Sequence, residues 1–419
     1  MKIAIIALGS QGDVQPYIAL GKGLIEAGHN VRLLTHENFG TTVQSHGLEF
    51  CSMKGNVQAV VESPEMRALL EKGDFIAITR QTAKLSQQAA LDWAKDGLAG
   101  CIGMDLIIAG VGGLNVGVAL AEKLNIPLLQ AYVFPFTATR AFPGILFPPL
   151  FGKFGGTVNY FSHQLVRQLM WQGFRSADTM ARKEVLDLPA APFFGTYTSS
   201  IMQRLPVLYG FSPSVIAPAA DWKNTHVTGY WTLEPAANWV APPALETFLA
   251  AGKPPVYIGF GSMSNRDPEK TAQLVLDALA QTGGRAILQS GWNGMSATNL
   301  PENVFLLESV PHSWLFDKVT AVVHHGGAGT TAAGLRAGVP SLVIPFFGDQ
   351  GFWGQHVADL GVGTAPISRQ HLTSEKLARG LQNLVTDSSL RARAAELGKK
   401  VRAEDGIKNA VQVINQLEL

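Results

Sequence analysis

One stretch of the chain, residues 321–350, limits its possible folds more than any other. It begins with a short apolar run, Ala321–His325, which is typical of a buried strand. A glycine- and threonine-rich segment, His324–Thr331, follows where a helix is expected to begin. A second apolar run covers Ser341–Ile344, and an acid–amide pair, Asp349–Gln350, comes after it. This order predicts a strand, a helix and a second, parallel strand, with both strand-to-loop junctions at one edge of the sheet.

The glycine-rich segment has the chemistry of a phosphate site. A helix N-terminus carries unpaired backbone N–H groups and about half a positive charge, so it attracts anions. Glycine lets the backbone approach an anion closely, and Thr330 and Thr331 can add hydroxyl donors. From the neighbouring loop, Asp349–Gln350 could bind sugar hydroxyls. The alternative is an ordinary α/β turn, in which Gly329 and Gly338 are only turn and helix-end residues.

Two successive regions of the chain each show an alternation of predicted strands and helices. The segments Lys2–Asp13 and Pro255–Asn265 each read as a strand that runs into a Gly-Ser turn. Because 419 residues are too many for one ordinary core, we predict an α/β protein with two Rossmann-like domains facing a central cleft. The expected boundaries are 1–215 for the N-terminal domain, 216–243 for a linker, 244–400 for the C-terminal domain and 401–419 for a helix that packs back on the N-terminal domain.

The composition excludes several classes of protein. The net charge is +1, from 33 basic and 32 acidic residues, which argues against a nucleic-acid-binding protein. The two cysteines, Cys51 and Cys101, cannot form a disulfide framework and lack metal-site spacing. Four prolines and Arg140 interrupt the very apolar stretch Tyr132–Phe154, which therefore cannot be a membrane-spanning helix. We expect no nucleic-acid partner, no metal and a cytoplasmic setting.

A single carboxylate follows the first strand of the chain. The strand Lys2–Leu8 ends in a turn over Gly9–Pro16 that carries Asp13. A carboxylate at the carboxyl end of a strand lies where ligands bind, and it can take a proton from a hydroxyl nucleophile. The alternative is that Asp13 is the N-cap of a helix expected over Pro16–Ala27. The two roles are compatible with each other.

Other strand ends carry weaker candidates. His36 follows the second strand and is a candidate for acceptor contact, although a lone histidine is more often structural. Ser262, in the second Gly-Ser turn, could meet a phosphate or only complete the turn. The Ser309–His312 loop could frame a flat ring through its backbone groups. The run Gly110–Asn115 hints at a dinucleotide loop but lacks the third glycine of GxGxxG, which disfavours a dinucleotide-dependent oxidoreductase.

These residues together resemble family 1 glycosyltransferases with the GT-B fold. The specific parts are GSQGDVQPYIALGKGL at 9–24, HHGGAGTT at 324–331 and AGVPSLVIPFFGDQ at 337–350. The resemblance covers nearly the whole chain and is closest to the sterol glucosyltransferase branch, followed by the antibiotic glycosyltransferases. Residues 206–218 and HVTGYW at 226–231 also resemble the interdomain stretch of the sterol enzymes.

The resemblance implies a nucleotide-sugar donor bound mainly by the C-terminal half and an acceptor bound by the N-terminal half. The donor-binding residues that it implies are Ser262, Val310, His312, His325, Gly327, Gly329, Thr330, Asp349 and Gln350. As acceptor-binding residues we expect Gln11, His36, Phe134 and Phe142. Asp13 is then the catalytic base, and His325 stabilises the departing diphosphate.

Two positions depart from the pattern of plant family members. Those proteins carry a histidine base where this chain has Asp13, but the sterol and antibiotic branches also have aspartate there. Plant members also have a tryptophan that stacks on uracil in the loop equivalent to Ser309–His312. This chain has no tryptophan in that loop, which leaves the nucleobase of the donor open.

The resulting hypothesis is an inverting, metal-independent transfer of a sugar, most simply glucose, from a UDP-sugar co-substrate to a hydroxyl of an apolar acceptor. A sterol, terpenoid, polyketide or flavonoid would suit a pocket lined by Tyr132–Phe154 and the helical region Phe161–Phe174. No cofactor is expected. The alternatives are a TDP-deoxysugar or rhamnose transferase of natural-product or glycolipid biosynthesis, and a non-catalytic nucleotide-sugar-binding protein. We expect a monomer or weak dimer that contacts membranes peripherally.

Overall fold

The computed structural model describes residues 1–56, 60, 63, 65–66, 68–69, 75–260, 268–289 and 300–418. Within this part of the chain the residues form two compact units. Unit 1 contains Met1–Val60, Asp74–Leu233 and Glu404–Leu419, and unit 2 contains Glu234–Ala403. Each unit is an α/β structure built on a parallel sheet, which confirms the predicted class of both halves.

Unit 1 is built on a sheet whose seven described strands are all parallel and follow the order β3-β2-β1-β4-β5-β6-β7. The strands are β1 (Lys2–Ile6), β2 (Asn30–His36), β3 (Glu49–Met53), β4 (Leu106–Ala109), β5 (Leu128–Tyr132), β6 (Val207–Tyr209) and β7 (Thr225–Val227). The helices between them are α1 (Gln11–Glu26), α2 (Gly40–Ser45), α3 (Phe75–Cys101), α4 (Leu114–Leu124), α5 (Gly156–Ala181) and α6 (Ser200–Arg204).

Unit 2 repeats the arrangement with five described parallel strands in the order β10-β9-β8-β11-β12. The strands are β8 (Val256–Gly259), β9 (Ala286–Gln289), β10 (Val304–Leu307), β11 (Ala321–His324) and β12 (Ser341–Val343). The helices are α7 (Pro243–Ala250), α8 (Pro268–Thr282), α9 (His312–Leu315), α10 (Ala328–Ala337), α11 (Gln350–Asp359), α12 (Ser374–Thr386) and α13 (Ser388–Ala403). In the described parts of both units, no helix has the length and apolar character needed to cross a bilayer.

The strands of unit 2 divide their side chains between two apolar layers. Val256 and Ile258 of β8 pack in one core with Leu288. Tyr257, which lies between them in sequence, packs in the other core with Ile287. Because side chains alternate along a strand, a strand covered on both faces must be apolar at every position. The polar residues that act on ligands are therefore expected where each strand ends.

The first helix begins earlier than the sequence indicated. The turn expected over Gly9–Pro16 is short, because α1 already begins at Gln11 and contains Pro16. The side chain of Asp13 accepts hydrogen bonds from Ser10, the residue just before the helix. This local pairing stabilises a helix start upstream of the proline.

Part of the expected linker belongs to a sheet. Residues 216–243 were expected to join the domains, but Thr225–Val227 forms β7 and pairs with β6 through Val207 and Thr225. Unit 1 extends to Leu233. The stretch is rich in turn-forming residues, and the strand within it is only three residues long, so its alternation is too brief to be read from sequence.

The end of the chain packs on unit 1 as a helix, α14 (Gly406–Asn415). Its N-cap residue Asp405 accepts a hydrogen bond from the backbone N–H of Lys408. The Nδ2 atom of Asn409 donates to the carbonyl oxygen of Thr228 at 2.9 Å. A Cβ atom at Gly406 would lie 2.5 Å from the carbonyl carbon and oxygen of Gly229, so the two backbones touch at this point.

We predict that Gly406→Ala destabilises unit 1 by about 1–3 kcal/mol, because the added methyl group overlaps backbone atoms that cannot rotate away. The check is the midpoint of thermal unfolding, which should fall by several degrees. Gly152→Ala is the matched control in the same unit, since its Cβ would meet only Pro143 at 3.7 Å. Equal midpoints for the two variants would contradict the close contact.

Candidate active site

Asp13 lies in the first turn of α1, three residues after Ser10. Its Oδ2 atom accepts hydrogen bonds from the backbone N–H of Ser10 at 2.9 Å and from the Ser10 hydroxyl at 2.8 Å. Burial raises the pKa of the carboxyl because desolvation penalises the charged form, while the two bonds from Ser10 act in the opposite direction. Asp13 therefore supports the helix start from its third position, not as the N-cap residue itself, and its basicity is raised.

The position of the Asp13 carboxylate requires a glycine at residue 9. Its φ of +148° lies in a region that residues with a side chain rarely adopt. A Cβ atom at Gly9 would also lie 2.5 Å from Oδ2 of Asp13. The backbone thus passes directly over the carboxylate, and only glycine leaves it room.

A narrow cleft, partly open to solvent, lies beside Asp13. It is lined by Ala7, Leu8, Asp13, Tyr17, Gly110, Val111, Gly112, Val133 and Phe134. The sequence analysis missed Tyr17, whose hydroxyl donates to the carbonyl oxygen of Ala131 at 2.6 Å. Its spacing of four residues from Asp13, on the same helix face, could have identified it. The walls of the cleft are mainly apolar, with one carboxylate at its edge.

The glycine run after β4 shapes this cleft. A Cβ atom at Gly110 would lie 2.6 Å from the Tyr17 hydroxyl, and one at Gly112 would lie 1.9 Å from the carbonyl oxygen of Leu8. These glycines are therefore explained by close packing against β1 and α1. The run that resembles a dinucleotide loop is a wall of the Asp13 cleft.

The four expected acceptor residues have different surroundings. Phe134 lines the cleft, and Gln11 is exposed at the start of α1. His36 is buried, and its Nδ1 atom lies 3.2 Å from the carbonyl oxygen of Met53. Phe142 packs against the rings of His163 and Trp222. Neither His36 nor Phe142 is among the residues that line the Asp13 cleft.

In unit 2, two adjacent imidazoles mark the end of β11, where His324 is buried and His325 is half-buried. The Nδ1 atom of His324 accepts a hydrogen bond from the backbone N–H of Gly326 at 3.0 Å, which places the ring proton on Nε2. Within the described residues, Nδ1 of His325 has no hydrogen-bond partner. Burial and, to a smaller extent, the neighbouring His312 lower the pKa of His325 to about 4. The ring is therefore neutral at pH 7 in the unliganded chain.

Glycines hold the loop between β11 and α10 against its neighbours. Gly326 has a φ of +94°, and a Cβ atom there would lie 2.8 Å from the carbonyl oxygen of Gln350. A Cβ atom at Gly327 would lie 2.5 Å from Nε2 of His325. The predicted phosphate loop and the predicted sugar loop of unit 2 therefore touch each other through their backbones.

The N-terminus of α10 lies directly after this loop. Gly327 is its N-cap residue, Gly329 is exposed and Thr330 is half-buried in the first turn. The hydroxyl of Thr331 donates to the carbonyl oxygen of Gly327 at 2.9 Å and is buried. The expectation that Thr331 offers its hydroxyl to a ligand is therefore wrong, because the helix itself uses that donor. Gly329 and Thr330 remain at the open end of the helix.

Asp349 and Gln350 lie at the start of α11, in the loop after β12. The Oε1 atom of Gln350 accepts hydrogen bonds from the backbone N–H groups of Phe346 at 2.7 Å and Phe347 at 3.1 Å. The Oδ2 atom of Asp349 accepts one from the indole of Trp353 at 2.8 Å. Gln350 is buried, so the structure gives it a role in shaping the loop.

The loop before α9 contributes one polar group and one core residue. Nε2 of His312 lies 3.1 Å from the hydroxyl of Tyr257, and its ring stacks on Phe316 with centroids 4.5 Å apart. Burial lowers the pKa of His312 to about 4. The side chain of Val310 is buried in the core, so only its backbone can frame a ring. Ser262 lies outside the described residues.

No group of three or more metal-binding side chains occurs among the residues that the structure describes. Three imidazoles of unit 2, those of His312, His324 and His325, are potential metal donors, and desolvation lowers the pKa of each. Their shared features are neutrality and proximity to the start of α10.

Comparison with known proteins identifies the family. A model of the glycosyltransferase family 28 N-terminal domain matches residues 3–143, and one of the erythromycin biosynthesis protein CIII-like C-terminal domain matches residues 273–417. A sterol 3-beta-glucosyltransferase of Cryptococcus neoformans var. neoformans serotype D is 37% identical over 443 residues, which cover 99% of this chain. The chain belongs to the family 1 glycosyltransferases with the GT-B fold. The resemblance inferred from the three sequence motifs is confirmed.

A second sterol glucosyltransferase also matches nearly the whole of this chain. A sterol 3-beta-glucosyltransferase of Eremothecium gossypii is 37% identical over 425 residues, covering 98% of this chain. The matches cover 33% of that protein and 27% of the Cryptococcus protein. This glycosyltransferase chain therefore spans about a third or less of the length of these relatives.

Solved structures confirm the GT-B architecture. The glycotransferase of kitacinnamycin superposes with a TM-score of 0.68 at 18% identity, over 99% of this chain and 98% of that chain. The glycosyltransferase VinC in complex with dTDP gives a TM-score of 0.68 at 19% identity, over 99% of each chain. At this identity the likeness concerns the fold.

We predict that the free energy of unfolding falls as the pH drops from about 6.5 to about 4. In this range the histidines of the unfolded chain bind protons, whereas the desolvated imidazoles of the folded chain stay neutral. His312, with a folded-state pKa of about 4, contributes stability that is complete above this window and lost within it. His312→Phe should make the dependence shallower by up to one proton while keeping the stack on Phe316. The check is urea denaturation at several pH values, and parallel curves for the two proteins would contradict the assignment.

Proposed function

We propose that this chain transfers glucose from UDP-glucose to a hydroxyl of a sterol, by an inverting single displacement without a metal. The observation that carries the proposal is the half-buried carboxylate of Asp13, whose pKa is raised by desolvation, at the edge of an apolar cleft walled by Val133 and Phe134. An apolar alcohol is the substrate class that such a cleft suits. The names of the sterol 3-beta-glucosyltransferases support the sugar and the acceptor class.

Asp13 is the proposed general base. Both hydrogen bonds from Ser10 fall on Oδ2, so Oδ1 is the oxygen that can accept the proton of the acceptor hydroxyl. Desolvation raises the pKa of the carboxyl and thus strengthens it as a base. The deprotonated oxygen then attacks the anomeric carbon from the face opposite UDP, and the bond from that carbon to the diphosphate breaks.

The departing diphosphate is stabilised by unit 2. The backbone N–H groups at the start of α10, with Gly327, Gly329 and Thr330, are oriented to receive its oxygens. His325 is neutral before the donor binds, and a nearby anion favours its protonated form. The imidazole can thus add a charge-assisted hydrogen bond as negative charge grows on the leaving group.

Two neighbouring loops are the proposed binding sites for the rest of the nucleotide sugar. We assign the nucleoside to the loop around Val310 and His312, and the sugar hydroxyls to Asp349. Gln350 holds the loop that carries Asp349 through its bonds to the backbone of Phe346 and Phe347. Ser262 is assigned to the phosphates on the motif alone.

A TDP-sugar donor is the second candidate. It is favoured by the fold neighbour VinC, which is described in complex with dTDP, and by the absence of tryptophan between Ser309 and His312. An assay of nucleotide release distinguishes the UDP-sugar donor from the TDP-sugar donor. UDP-glucose and dTDP-glucose would each be supplied with a panel of sterols and other apolar alcohols, with mass spectrometry of the products.

A β-linked hexosyl sterol formed from UDP-glucose supports the proposal. Product from dTDP-glucose alone supports the second donor. Binding of either nucleotide sugar without any product on any alcohol would favour a non-catalytic nucleotide-sugar-binding protein. An α-linked product would contradict the single displacement.

We predict that Asp13→Asn lowers kcat by roughly 10²–10⁴-fold, because an amide cannot take the proton, while its oxygen can still accept from Ser10. Binding of the nucleotide sugar should be unchanged, as measured by calorimetry. Ser10→Ala is the matched control, since it removes the hydroxyl donor but keeps the carboxylate. If kcat of Asp13→Asn fell by less than tenfold, Asp13 would not be the general base and would serve only to stabilise the start of α1.

Gly9→Ala should lower kcat at least tenfold by displacing the Asp13 carboxylate, which a new Cβ atom would meet at 2.5 Å. Gly28→Ala is its control, because Gly28 also has a positive φ, of +88°, but nothing lies within 4 Å of its Cβ position. Both variants should lose about 1 kcal/mol of stability from the backbone strain. If kcat falls equally in both, strain and not the carboxylate position explains the loss.

A further inference from the structure

Unit 1 exposes a row of large apolar side chains along α5. Val158, Phe161, Leu165 and Leu169 are 38%, 65%, 48% and 37% exposed. Their spacing of three and four residues places them on one face of the helix. Phe154, just before the helix, is 64% exposed. A face of this kind is ordinarily buried, so its exposure points to a surface that something covers.

A loop extends this row. Phe193 and Phe194 are 54% and 77% exposed. The carbonyl oxygen of Phe193 accepts hydrogen bonds from the side chains of Trp171 at 3.0 Å and Gln172 at 2.8 Å, which fixes the loop to α5. With Leu150, which is 58% exposed, these residues form what we call the α5 apolar face. Its members are Leu150, Phe154, Val158, Phe161, Leu165, Leu169, Phe193 and Phe194.

The stretch of chain that contains α5 carries charges of one sign. Residues 124–177 contain no aspartate or glutamate and four cations, Arg140, Lys153, Arg167 and Arg175, in a chain whose net charge is only +1. Lys153 is exposed beside Phe154, and the guanidinium of Arg175 lies over the ring of Phe193 at 5.0 Å. The apolar side chains are thus bordered by positive charge.

The opposite side of α5 reaches the wall of the Asp13 cleft through adjacent side chains. Phe134 of the cleft wall contacts Phe136, with ring centroids 6.3 Å apart. Arg167 of α5 lies over the Phe136 ring at 5.4 Å, and its Nη2 atom donates to the Phe136 carbonyl oxygen at 3.0 Å. Phe136 therefore bridges Arg167 of α5 and Phe134 of the cleft wall.

We propose that the α5 apolar face docks on a lipid bilayer with anionic headgroups. The apolar side chains enter the interface while Lys153 and Arg175 at its border meet the headgroups, a combination that binds membrane surfaces. A second copy of the chain fits less well, because a two-fold contact would bring the same cations together. If the sterol acceptor proposed above is correct, the face would collect it from the bilayer close to Asp13, but the docking itself does not depend on that reaction.

The test is co-sedimentation of the full chain with vesicles, without donor or acceptor. One set contains phosphatidylcholine alone, and the other contains phosphatidylcholine with phosphatidylglycerol. We expect binding to the anionic set that weakens as salt rises. Phe161→Ser and Phe194→Ser should each reduce the partition constant roughly tenfold, since each removes a large apolar contact. Lys153→Glu should reduce it roughly fivefold or more.

Ile102→Ser is the matched control. Ile102 is 61% exposed in the same unit, but it follows α3 at the edge of the sheet where β4 begins. Its replacement should leave vesicle binding unchanged, and thermal unfolding should show that all four variants are folded. Absence of wild-type binding to anionic vesicles, or an equal loss in Ile102→Ser, would overturn the proposal. So would sedimentation velocity showing a lipid-free dimer that Phe161→Ser dissociates, because the occupant would then be a second copy.

Discussion

Parallel strands leave all their carboxyl ends at one edge of a sheet, and the chain must turn there into a helix within a few residues. In this glycosyltransferase such turns depend on backbone that approaches other atoms more closely than a side chain allows. Gly9 passes over the Asp13 carboxylate, Gly112 lies against the carbonyl oxygen of Leu8, and Gly326 lies against that of Gln350. This constraint positions the carboxylate, the cleft wall and the loops that follow β11 and β12.

Desolvation at these edges changes the chemistry of the titratable groups in opposite directions. It raises the pKa of the Asp13 carboxyl, which makes it a better proton acceptor. It lowers the pKa values of His312 and His325 to about 4, which keeps those rings neutral at pH 7. The raised pKa of the carboxyl and the lowered pKa values of the imidazoles thus follow from the same physical cause.

Much of this arrangement was predictable from residue patterns. The unbroken apolar runs and the glycines after them identified both sheets, because strands covered on both faces must be apolar throughout. The predictions were wrong where short-range contacts decide the local structure. Ser10 and Asp13 stabilise a helix start ahead of Pro16, β7 is too short to show alternation, and Thr331 gives its hydroxyl to Gly327. Tyr17 was missed because its role depends on Ala131, more than a hundred residues away.

By itself, the sequence determined the class of fold, its family and the identity of the polar groups at the strand ends, since period and spacing follow from local geometry. Tertiary structure decided which of these groups share a cleft and which serve the fold. His36 and Phe142 are engaged away from the Asp13 cleft, and Gln350 holds its own loop. It also decided that one face of α5 stays exposed, because the same helical spacing of apolar residues would suit a buried helix equally well.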